Sequence, residues 1–333
     1  MKDYRNYSLK EHNTFGIDAR CSRFLEYESE DDAKQVTEIL RTEAIPYIII
    51  GGGSNLLLTK NFDGIVVHSA IKGFEVEGSQ IKCGSGETWD DVVEFSLIKG
   101  LYGAENLSLI PGDVGASTVQ NIGAYGVEAK DFIKKVWAIE IATGEVKIFT
   151  NEECQYAYRQ SRFKQDWKNC YLITRVAYEF DPVFRPRLDY GNIRLELECR
   201  GIHKPTPQQL RQVIIDIRNA KLPDPKVMGN AGSFFMNPVV SRSRFEQLIS
   251  QYPNMPHYRV DAEHEKIPAG WMIEQCGWKG KAMGRAGVHD RQALVLVNLG
   301  GATGSEIVAL CHAIQKDVKQ KFDIEIYPEV NVI

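Results

Sequence analysis

Apolar and polar residues along the first 72 positions follow two patterns, one with the period of a strand and one with the period of a helix. Residues 23–28 alternate as a strand does, and residues 47–50 and 64–68 are short apolar runs typical of buried strands. Between them, Ser29 is placed to cap a helix whose apolar face ends before Pro46. The pattern predicts a small mixed α/β arrangement.

Short strands and one helix are predicted for the next hundred residues, on either side of a stretch without periodicity at 101–128. An irregular segment of such length inside a domain is usually functional. The elements predicted around it are strands at 74–76 and 80–83, a helix from Thr88 to Gly100, a hairpin of 136–141 with 145–149, a short helix at 151–157 and a strand at 171–180.

A capping box opens a further helix at Thr206, with proline at the first helical position and Gln209 three residues after the cap. The sequence Lys221-Leu222-Pro223-Asp224-Pro225 ends this helix and is typical of a domain linker. Beyond it, the pattern predicts helices at 245–249, 269–275 and 305–322, and strands at 293–297 and 324–326.

Charge and cysteine spacing exclude several classes of protein. The 40 lysines and arginines against 44 aspartates and glutamates give a net charge of -4, without the basic surplus of a nucleic-acid or membrane-surface binder. No apolar run approaches the ~18 residues of a membrane span, and the polar start has no signal-peptide core. The 7 cysteines are widely spaced without a C-x-x-C pair, which indicates reduced thiols and no metal site. We therefore expect a soluble cytoplasmic protein.

Two glycine-rich segments are suited to an anionic ligand. The first, Gly51-Gly52-Gly53-Ser54-Asn55, follows a predicted strand, and its glycines allow backbone N–H groups to turn toward a phosphate. It matches neither the dinucleotide fingerprint, which opens a helix, nor the Walker A loop. The second, at 110–126, suits another wall around a diphosphate or a polar ring. Each segment alone is equally compatible with an ordered turn or loop.

Two further segments carry candidate side chains. Arg159 and Arg162 are spaced to share one face of a helix end, where Arg159 would make a bidentate contact with a carboxylate. Ser233 lies among glycines and large aromatic residues as a candidate hydroxyl donor, without the G-x-S-x-G pattern of a serine hydrolase. A solvated helix face and a turn serine are the structural alternatives.

Taken together, these segments resemble the UDP-N-acetylenolpyruvoylglucosamine reductase family over almost the whole chain. Each motif is weak alone, but the set is specific in this order and spacing. Leu188-Asp189-Tyr190-Gly191 and the segment 221–237 resemble the type I branch. The other matching motifs are Asn13-Thr14-Phe15, Gly51-Gly52-Gly53-Ser54-Asn55-Leu56, Ile110-Pro111-Gly112-Asp113-Val114-Gly115-Ala116, Gln120-Asn121-Ile122-Gly123-Ala124-Tyr125-Gly126, Tyr158-Arg159, Gly229-Asn230-Ala231-Gly232-Ser233-Phe234-Phe235 and Tyr327-Pro328-Glu329-Val330.

The resemblance implies an α+β protein with the vanillyl-alcohol-oxidase/PCMH type of FAD-binding fold and a C-terminal α+β substrate-binding domain. Two α+β FAD subdomains are expected at 1–72 and 73–205, and the substrate domain at 220–322, with a C-terminal strand at about 323–333 returning to the first subdomain. The resemblance also implies non-covalent FAD, NADPH as co-substrate and a UDP-sugar substrate. A monomer that binds no nucleic acid and no membrane is expected.

The chemistry implied by the resemblance is hydride transfer from NADPH to FAD, then from flavin N5 to C3 of the enolpyruvyl group, which yields UDP-N-acetylmuramate for peptidoglycan synthesis. Arg159 aligns with the family's ligand of the substrate carboxylate, Ser233 with the proton donor to C2, and Glu329 with a C-terminal glutamate that donates a hydrogen bond when protonated. Tyr190, Lys221, Asn237 and Gln292 align with ligands of the substrate diphosphate. The expected FAD-binding residues are Gly51, Gly52, Gly53, Ser54, Asn55, Leu56, Pro111, Gly112, Gly115, Ala116, Ser117, Gln120, Asn121, Gly123 and Ala124.

Two other functions fit parts of this pattern. An FAD oxidase of the same fold, such as a sugar-lactone oxidase, would use the glycine-rich segments but not Ser233, Arg159 and Glu329. Its reduced flavin would react fast with O₂. A non-catalytic binder of nucleotide sugars would be colourless, whereas a flavoenzyme is yellow because of its cofactor.

Overall fold

The apolar runs predicted as buried strands pair in parallel near the start of the chain. In the computed structural model, which describes residues 1–333, Tyr47–Ile50 and Arg20–Tyr27 both pair in parallel with Phe62–Ser69. These three strands are mostly buried or partly buried, whereas the edge strand Lys2–Ser8 of the same sheet is largely exposed. The sheet has four strands in the order Lys2–Ser8, Arg20–Tyr27, Phe62–Ser69 and Tyr47–Ile50.

A five-stranded antiparallel sheet packs near the first one, and the helix Glu30–Thr42 lies in the core that they share. Ser29 caps this helix as predicted, because its Oγ accepts a hydrogen bond of 3.1 Å from the amide of Asp32. Leu25 of the first sheet and Ile139 of the second lie in the same buried cluster as the helix. The second sheet has the order Val146–Thr150, Ile133–Glu140, Tyr171–Glu179, Gln80–Gly84 and Phe74–Glu77.

The chain divides into two units, each assembled from separate segments. The first unit consists of Met1–Tyr7, Cys21–Gly52 and Phe62–Arg218, and the second of Ser8–Arg20, Gly53–Asn61 and Asn219–Ile333. Beyond its sheets, the first unit contains the hairpin Gly123–Ala124 with Val127–Glu128, 3-10 turns at Glu105–Leu107, Ala129–Asp131 and Arg162–Lys164, and the helices Trp89–Ile98, Val114–Gln120, Ile193–Cys199 and most of Pro207–Lys221.

The second unit is built on small sheets covered by helices. Its four-stranded antiparallel sheet has the order Asn230–Ser233, Val295–Asn298, Ala286–Val288 and Ala282–Met283. Asn331–Val332 near the end of the chain pairs in parallel with Leu56–Leu57. The other elements are the strands Val239–Ser241, His264–Lys266 and Tyr258–Arg259, the 3-10 turn Lys10–His12, and the helices Arg242–Gln251, Ala269–Gln275 and Gly304–Phe322.

Most of the predicted elements are present, and two of them are wrong. The predicted helix at 151–157 is a series of turns, because Glu153 accepts hydrogen bonds from the amide and hydroxyl of Thr150 and closes the chain locally. The predicted strand at 324–326 has no strand partner. Instead, the carbonyl of Ile326 accepts a hydrogen bond of 2.7 Å from Nε2 of Gln315. The short helix Val114–Gln120 was not predicted, because its glycine, serine and threonine residues are weak helix formers.

No helix in the structure is long and apolar enough to cross a membrane.

Candidate functional site

The two glycine-rich segments lie against each other in the first unit. Gly51 and Gly52 follow the strand Tyr47–Ile50 directly. A Cβ atom on Gly51 would lie 2.6 Å from the Cβ of Ala116, and one on Gly52 would lie 3.1 Å from Oδ1 of Asp113. Only glycine allows so close an approach of the two backbones at position 51. The sequence motifs at 51–52 and 112–116 therefore form one local structure.

The helix Val114–Gln120 lies in the middle of the second segment and presents a buried donor without an acceptor. Its last residue, Gln120, has a buried side-chain Nε2 without a hydrogen-bond partner in the protein. A buried amide of this kind needs an acceptor, and the oxygen-rich FAD molecule supplies many. Close backbone packing and a donor without an acceptor both fit FAD at this place. The predicted residues are arranged with Pro111 and Gly112 before the helix, Gly115, Ala116, Ser117 and Gln120 on it, Asn121 as its C-cap and Gly123 with Ala124 in the next strand.

Two of the predicted FAD-binding side chains hold the segment itself. Oγ of Ser117 donates a 2.7 Å hydrogen bond to the carbonyl of Val114 and is buried. Asn121, at φ +46°, donates from Nδ2 to the carbonyl of Ala157 (2.8 Å) and accepts at Oδ1 from the amide of Lys130 (3.0 Å). These two side chains hold the backbone of the loop in place. Any contact of Ser117 or Asn121 with a ligand would therefore come from its backbone groups.

Arg159 is held against this same loop. It lies in a turn at φ +56°, and its Nη2 donates a 2.7 Å hydrogen bond to the carbonyl of Gly123. The prediction that Arg162 shares a helix face with it is wrong, because no helix forms there. Arg162 instead begins a short 3-10 turn and pairs with Asp166. Of the two arginines, Arg159 is the one held against the glycine-rich loop.

A second guanidinium nearby was not predicted. Arg218 has no carboxylate within ion-pair distance, and its Nε is buried without a hydrogen-bond partner. Burial lowers the pKa of this guanidinium, and the positive charge of Arg159 lowers it further. The neighbouring Tyr125 hydroxyl only partly compensates. A buried cation without an acidic partner is the donor that an anionic ligand requires.

Tyr190, predicted as a substrate ligand, lies over the end of the glycine-rich loop. Its ring packs 3.6 Å from the position that a Cβ on Gly126 would take. The ring also meets that of Tyr125 edge-on, with centroids 6.5 Å apart and an interplanar angle of 85°. The Tyr190 side chain is 37% exposed, so part of it remains available to a ligand.

In the second unit, Gly53 lies against the Asn13-Thr14-Phe15 motif. It has φ +66°, and a Cβ there would lie 2.0 Å from the carbonyl oxygen of His12. The amide of Thr14 donates a 3.2 Å hydrogen bond to the carbonyl of Gly53. Both the backbone conformation and the close approach require glycine at this position.

Ser233 and Glu329 are brought together in the second unit. The amide of Glu329 donates a 2.8 Å hydrogen bond to the carbonyl of Phe234, the residue after Ser233. On its other side, the carbonyl of Glu329 accepts a 3.2 Å hydrogen bond from Nδ2 of Asn55. Ser233 is exposed and Glu329 is half-buried. Leu56 is buried and pairs with Asn331, which joins this cluster to the end of the chain.

Asn237 and Gln292 meet at the start of the helix Ala269–Gln275. Oδ1 of Asn237 accepts a 2.9 Å hydrogen bond from the amide of Ala269. A Cβ on Gly270 would lie 3.1 Å from Oε1 of Gln292. These contacts use the oxygens and leave the amide NH₂ groups as the donors for a ligand. Lys221 ends its helix as an exposed cation and makes no ion pair in the structure.

Family models match two parts of the chain. Residues 22–150 match the FAD binding domain, and residues 224–333 match the C-terminal domain of UDP-N-acetylenolpyruvoylglucosamine reductase. The crystal structure of UDP-N-acetylenolpyruvylglucosamine reductase from Thermus caldophilus has the same fold, with a TM-score of 0.69 at 22% identity over 99% of this chain and 98% of that one. The expected α+β fold with an FAD-binding part and a C-terminal domain is thereby confirmed.

Curated relatives match over their full length. A UDP-N-acetylenolpyruvoylglucosamine reductase of Bacteroides fragilis (strain YCH46) is 51% identical over 99% of this chain and 99% of its own. One from Flavobacterium johnsoniae is 45% identical over 100% of both chains. At this identity and coverage, the chain belongs to the UDP-N-acetylenolpyruvoylglucosamine reductase family of FAD-dependent oxidoreductases.

Proposed function

We propose that the chain uses NADPH to reduce UDP-N-acetyl-3-O-(1-carboxyvinyl)-glucosamine to UDP-N-acetylmuramate, with Arg159, Ser233 and Glu329 as its catalytic residues. The observation that carries this proposal is the 2.8 Å hydrogen bond from the amide of Glu329 to the carbonyl of Phe234. It supports the proposal because it ties the backbone of Glu329 to the residue after Ser233, although nearly a hundred residues separate the two in sequence. An oxidase, which transfers its electrons to O₂, does not require Ser233 and Glu329.

FAD is proposed to bind non-covalently at the glycine-rich segments. When bound, it supplies the hydride that reaches C3 of the vinyl group. The amide of Gln120 and the backbone of the Gly51–Gly52 and 112–116 segments would hold its polar groups. The proposed set also includes Gly53, Ser54, Asn55, Leu56, Ser117, Asn121, Gly123 and Ala124.

Arg159 is proposed to bind the substrate carboxylate. Hydride arrival at C3 builds negative charge at C2 that spreads into this carboxylate. A guanidinium already anchored by the carbonyl of Gly123 is preorganised for that charge and does not have to reorient during the reaction. Its stabilisation therefore grows from the ground state to the transition state, which is the condition for catalysis.

Glu329 and Ser233 are proposed to act on the anion that results. Glu329 in its protonated form donates a hydrogen bond to the charge-bearing carboxylate, and the Ser233 hydroxyl gives its proton to C2. An alcohol is a weak acid, so the basicity of the carbanion drives this transfer. Hydrogen bonds to its amide and to its carbonyl fix the backbone of Glu329 on both sides.

The substrate diphosphate is assigned to Tyr190, Lys221, Asn237 and Gln292. Lys221 supplies a point charge, and the other three supply directed donors. The proposed domain division remains 1–72 with about 323–333, 73–205 and 220–322. A cytoplasmic monomer that binds neither nucleic acid nor membrane completes the proposal.

Anaerobic stopped-flow absorbance tests the proposal in two halves. The protein is reduced with NADPH, NADP is removed, the enolpyruvyl nucleotide is added and the return of flavin absorbance is followed. Ser233→Ala is expected to keep FAD and the first half-reaction and to slow the second by about 10²–10⁴-fold, the usual loss with a general acid. Ser22→Ala, at an exposed serine of a strand, is the matched control. Rapid reoxidation of Ser233→Ala by the nucleotide would exclude the assigned proton donor.

A further inference from the structure

A histidine links the strand beneath the glycine turn to two carboxylates. His68 is the register partner of Ile50, the residue before Gly51. Its Nδ1 lies 2.9 Å from Oε2 of Glu26, and its Nε2 lies 3.3 Å from Oδ2 of Asp113. The imidazole side chain is 15% exposed, so these contacts are largely shielded from water.

The geometry favours a charged imidazole. A carboxylate can only accept hydrogen bonds, and an imidazole with a carboxylate at each nitrogen must donate from both. Both nitrogens carry hydrogen only in the imidazolium form. His68 therefore places a positive charge between Glu26 and Asp113.

The Asp113 carboxylate also reaches the glycine turn. Its Oδ1 lies 3.1 Å from the position of a Cβ on Gly52, and its Oδ2 lies 3.4 Å from that of Gly51. An uncompensated carboxylate at this distance would repel any diphosphate held by the turn, and the repulsion would be strong because the site is partly shielded. The molecule needs a counter-charge here, and His68 is the cation bonded to that carboxylate.

We propose that His68 is a positioning residue for FAD: its imidazolium neutralises and orients the Asp113 carboxylate so that the Gly51–Gly52 turn accepts the cofactor's diphosphate. The inference rests on the proposed FAD site and adds to it a residue that touches no ligand. Glu26 holds the other nitrogen and is itself paired with Lys2 at 2.6 Å. The chain of charges from Lys2 to Asp113 thus alternates in sign.

The affinity for FAD should then depend on pH. Burial alone would lower the pKa of His68, but the hydrogen bonds that its ring donates to Asp113 and Glu26, together with their negative charges, outweigh burial and raise the pKa above its ordinary value. Facing groups are Glu26 from the adjacent strand Arg20–Tyr27, Lys2 from the strand beyond it and Asp113 from the loop, with the uncharged ring of Phe24 alongside. The imidazolium is present at low and neutral pH, and FAD affinity falls as pH rises through the pKa of His68.

Reconstitution of the full-length apoprotein with FAD tests this without measuring turnover. The dissociation constant is measured by flavin fluorescence at about pH 6, below the ordinary histidine pKa, and at about pH 9, well above it because the pKa of His68 is raised. Four proteins are compared: the unaltered chain, His68→Asn, Asp113→Asn and the double variant. Far-UV circular dichroism and thermal unfolding confirm that each one is folded.

The expected result is a charge-dependent rescue. His68→Asn weakens FAD binding at pH 6 by about 5- to 150-fold, the usual range of a coupling between two sites. Asp113→Asn in the same chain restores the affinity and removes the pH dependence. If the single and double histidine variants are equally weak, or if the unaltered chain binds FAD equally at both pH values, the inference is overturned while the proposed FAD site stands. If the unaltered chain binds no FAD, the proposed function fails as well.

Discussion

The side-chain amide of Asn55 donates a 3.2 Å hydrogen bond to the backbone carbonyl of Glu329, across 274 positions of sequence. The carbonyl of Asn55 in turn accepts hydrogen bonds of 3.1 Å from the amide and the Nδ2 of Asn331. Asn55, the last residue of the first glycine-rich segment, is thereby tied to the C-terminal end of the chain. Glu329 is fixed by Asn55 on one side and by Phe234 on the other.

Removing the Asn55 side chain should loosen Glu329 without removing it. Asn55→Ala eliminates the bond to Glu329 but keeps the backbone bonds with Asn331. We expect the free energy of unfolding to fall by about 1 kcal/mol, the usual value of one hydrogen bond. The second half-reaction should slow because the backbone that carries the carboxyl is less well positioned, and both half-reactions are measured with saturating FAD because Asn55 also belongs to the proposed FAD-binding set.

The matched control is Asn61→Ala, which removes a similar bond of 2.9 Å to the amide of Arg20. Urea unfolding should show comparable destabilisation of the two variants, and stopped-flow should separate them. Equal rates of flavin reoxidation in both would show that the Asn55 bond does not position Glu329.

Local signals in the sequence sufficed at the helix starts of Ser29 and Thr206, where the capping residue and its partner are three residues apart. The capping box at Thr206 forms as predicted, with bonds of 2.9 Å and 3.2 Å between Thr206 and Gln209. The partnership of Asn55 with Glu329 carries no such signal, because each residue has many possible partners at that separation. Resemblance to a family marks both residues as important but says nothing of the bond between them.

At Arg218 the local pattern predicts the helix but not the surroundings of the side chain. The helical pattern places it one residue after Ile217, whose face is buried, and an arginine there indicates a solvated position. In the structure its guanidinium is largely buried beside Tyr125 of the glycine-rich loop. The helix was predictable from the sequence, and the burial of its cation was not.

Gly51 should tolerate no side chain unless the opposing methyl group of Ala116 is removed. Gly51→Ala puts a Cβ 2.6 Å from that of Ala116, a contact that forces the two segments apart. We expect loss of bound FAD, measured as the ratio of flavin to protein absorbance after purification. Ala116→Gly removes the opposing methyl group, so the double variant should recover FAD. A double variant as empty as the single one would show that the clash is not the cause.

Arg218 and Arg211 lie on one helix and should respond in opposite ways to the same substitution. Arg211 pairs with Asp90 through two hydrogen bonds of 2.7 Å and 3.1 Å, so Arg211→Met leaves a part-buried carboxylate and should cost about 1–3 kcal/mol of unfolding free energy. Arg218 has no such partner, and Arg218→Met should leave stability unchanged or higher because a buried unpaired charge is removed.

The gain at Arg218 should come with a loss of substrate binding. A charge-assisted hydrogen bond to an anionic ligand is worth about 1.5–3 kcal/mol, so we expect the dissociation constant of the UDP-sugar to rise roughly 10- to 100-fold. Isothermal titration with the nucleotide measures this, and urea unfolding of the ligand-free proteins measures stability. Marked destabilisation of Arg218→Met would show that its charge stabilises the fold and is not kept for a ligand.

Acid should abolish one contribution to the stability of the helix Gly304–Phe322. Glu306 accepts hydrogen bonds from the amide and hydroxyl of Thr303 at 2.8 Å and 3.0 Å, and it pairs with Arg285. The backbone bond from Thr303, then the side-chain bond from Arg285, lower the pKa of this carboxyl to about 2. A carboxyl whose pKa is lower in the folded than in the unfolded state stabilises the fold above the unfolded value of 4.5, and this contribution is lost as pH falls toward 2.

Glu306→Gln keeps the capping geometry and removes the charge. Its melting temperature should lie below that of the unaltered chain at about pH 6, and the difference should shrink as pH is lowered from about 5 to about 3, because Glu306 then takes up a proton in the unfolded chain while it stays ionised in the folded one. Circular dichroism melts across this range measure it. Glu38→Gln, at an exposed glutamate of the helix Glu30–Thr42, is the control for the substitution itself. A difference at Glu306 that stays constant down to about pH 3 would mean that hydrogen bonding alone, and not the charge, stabilises this helix start.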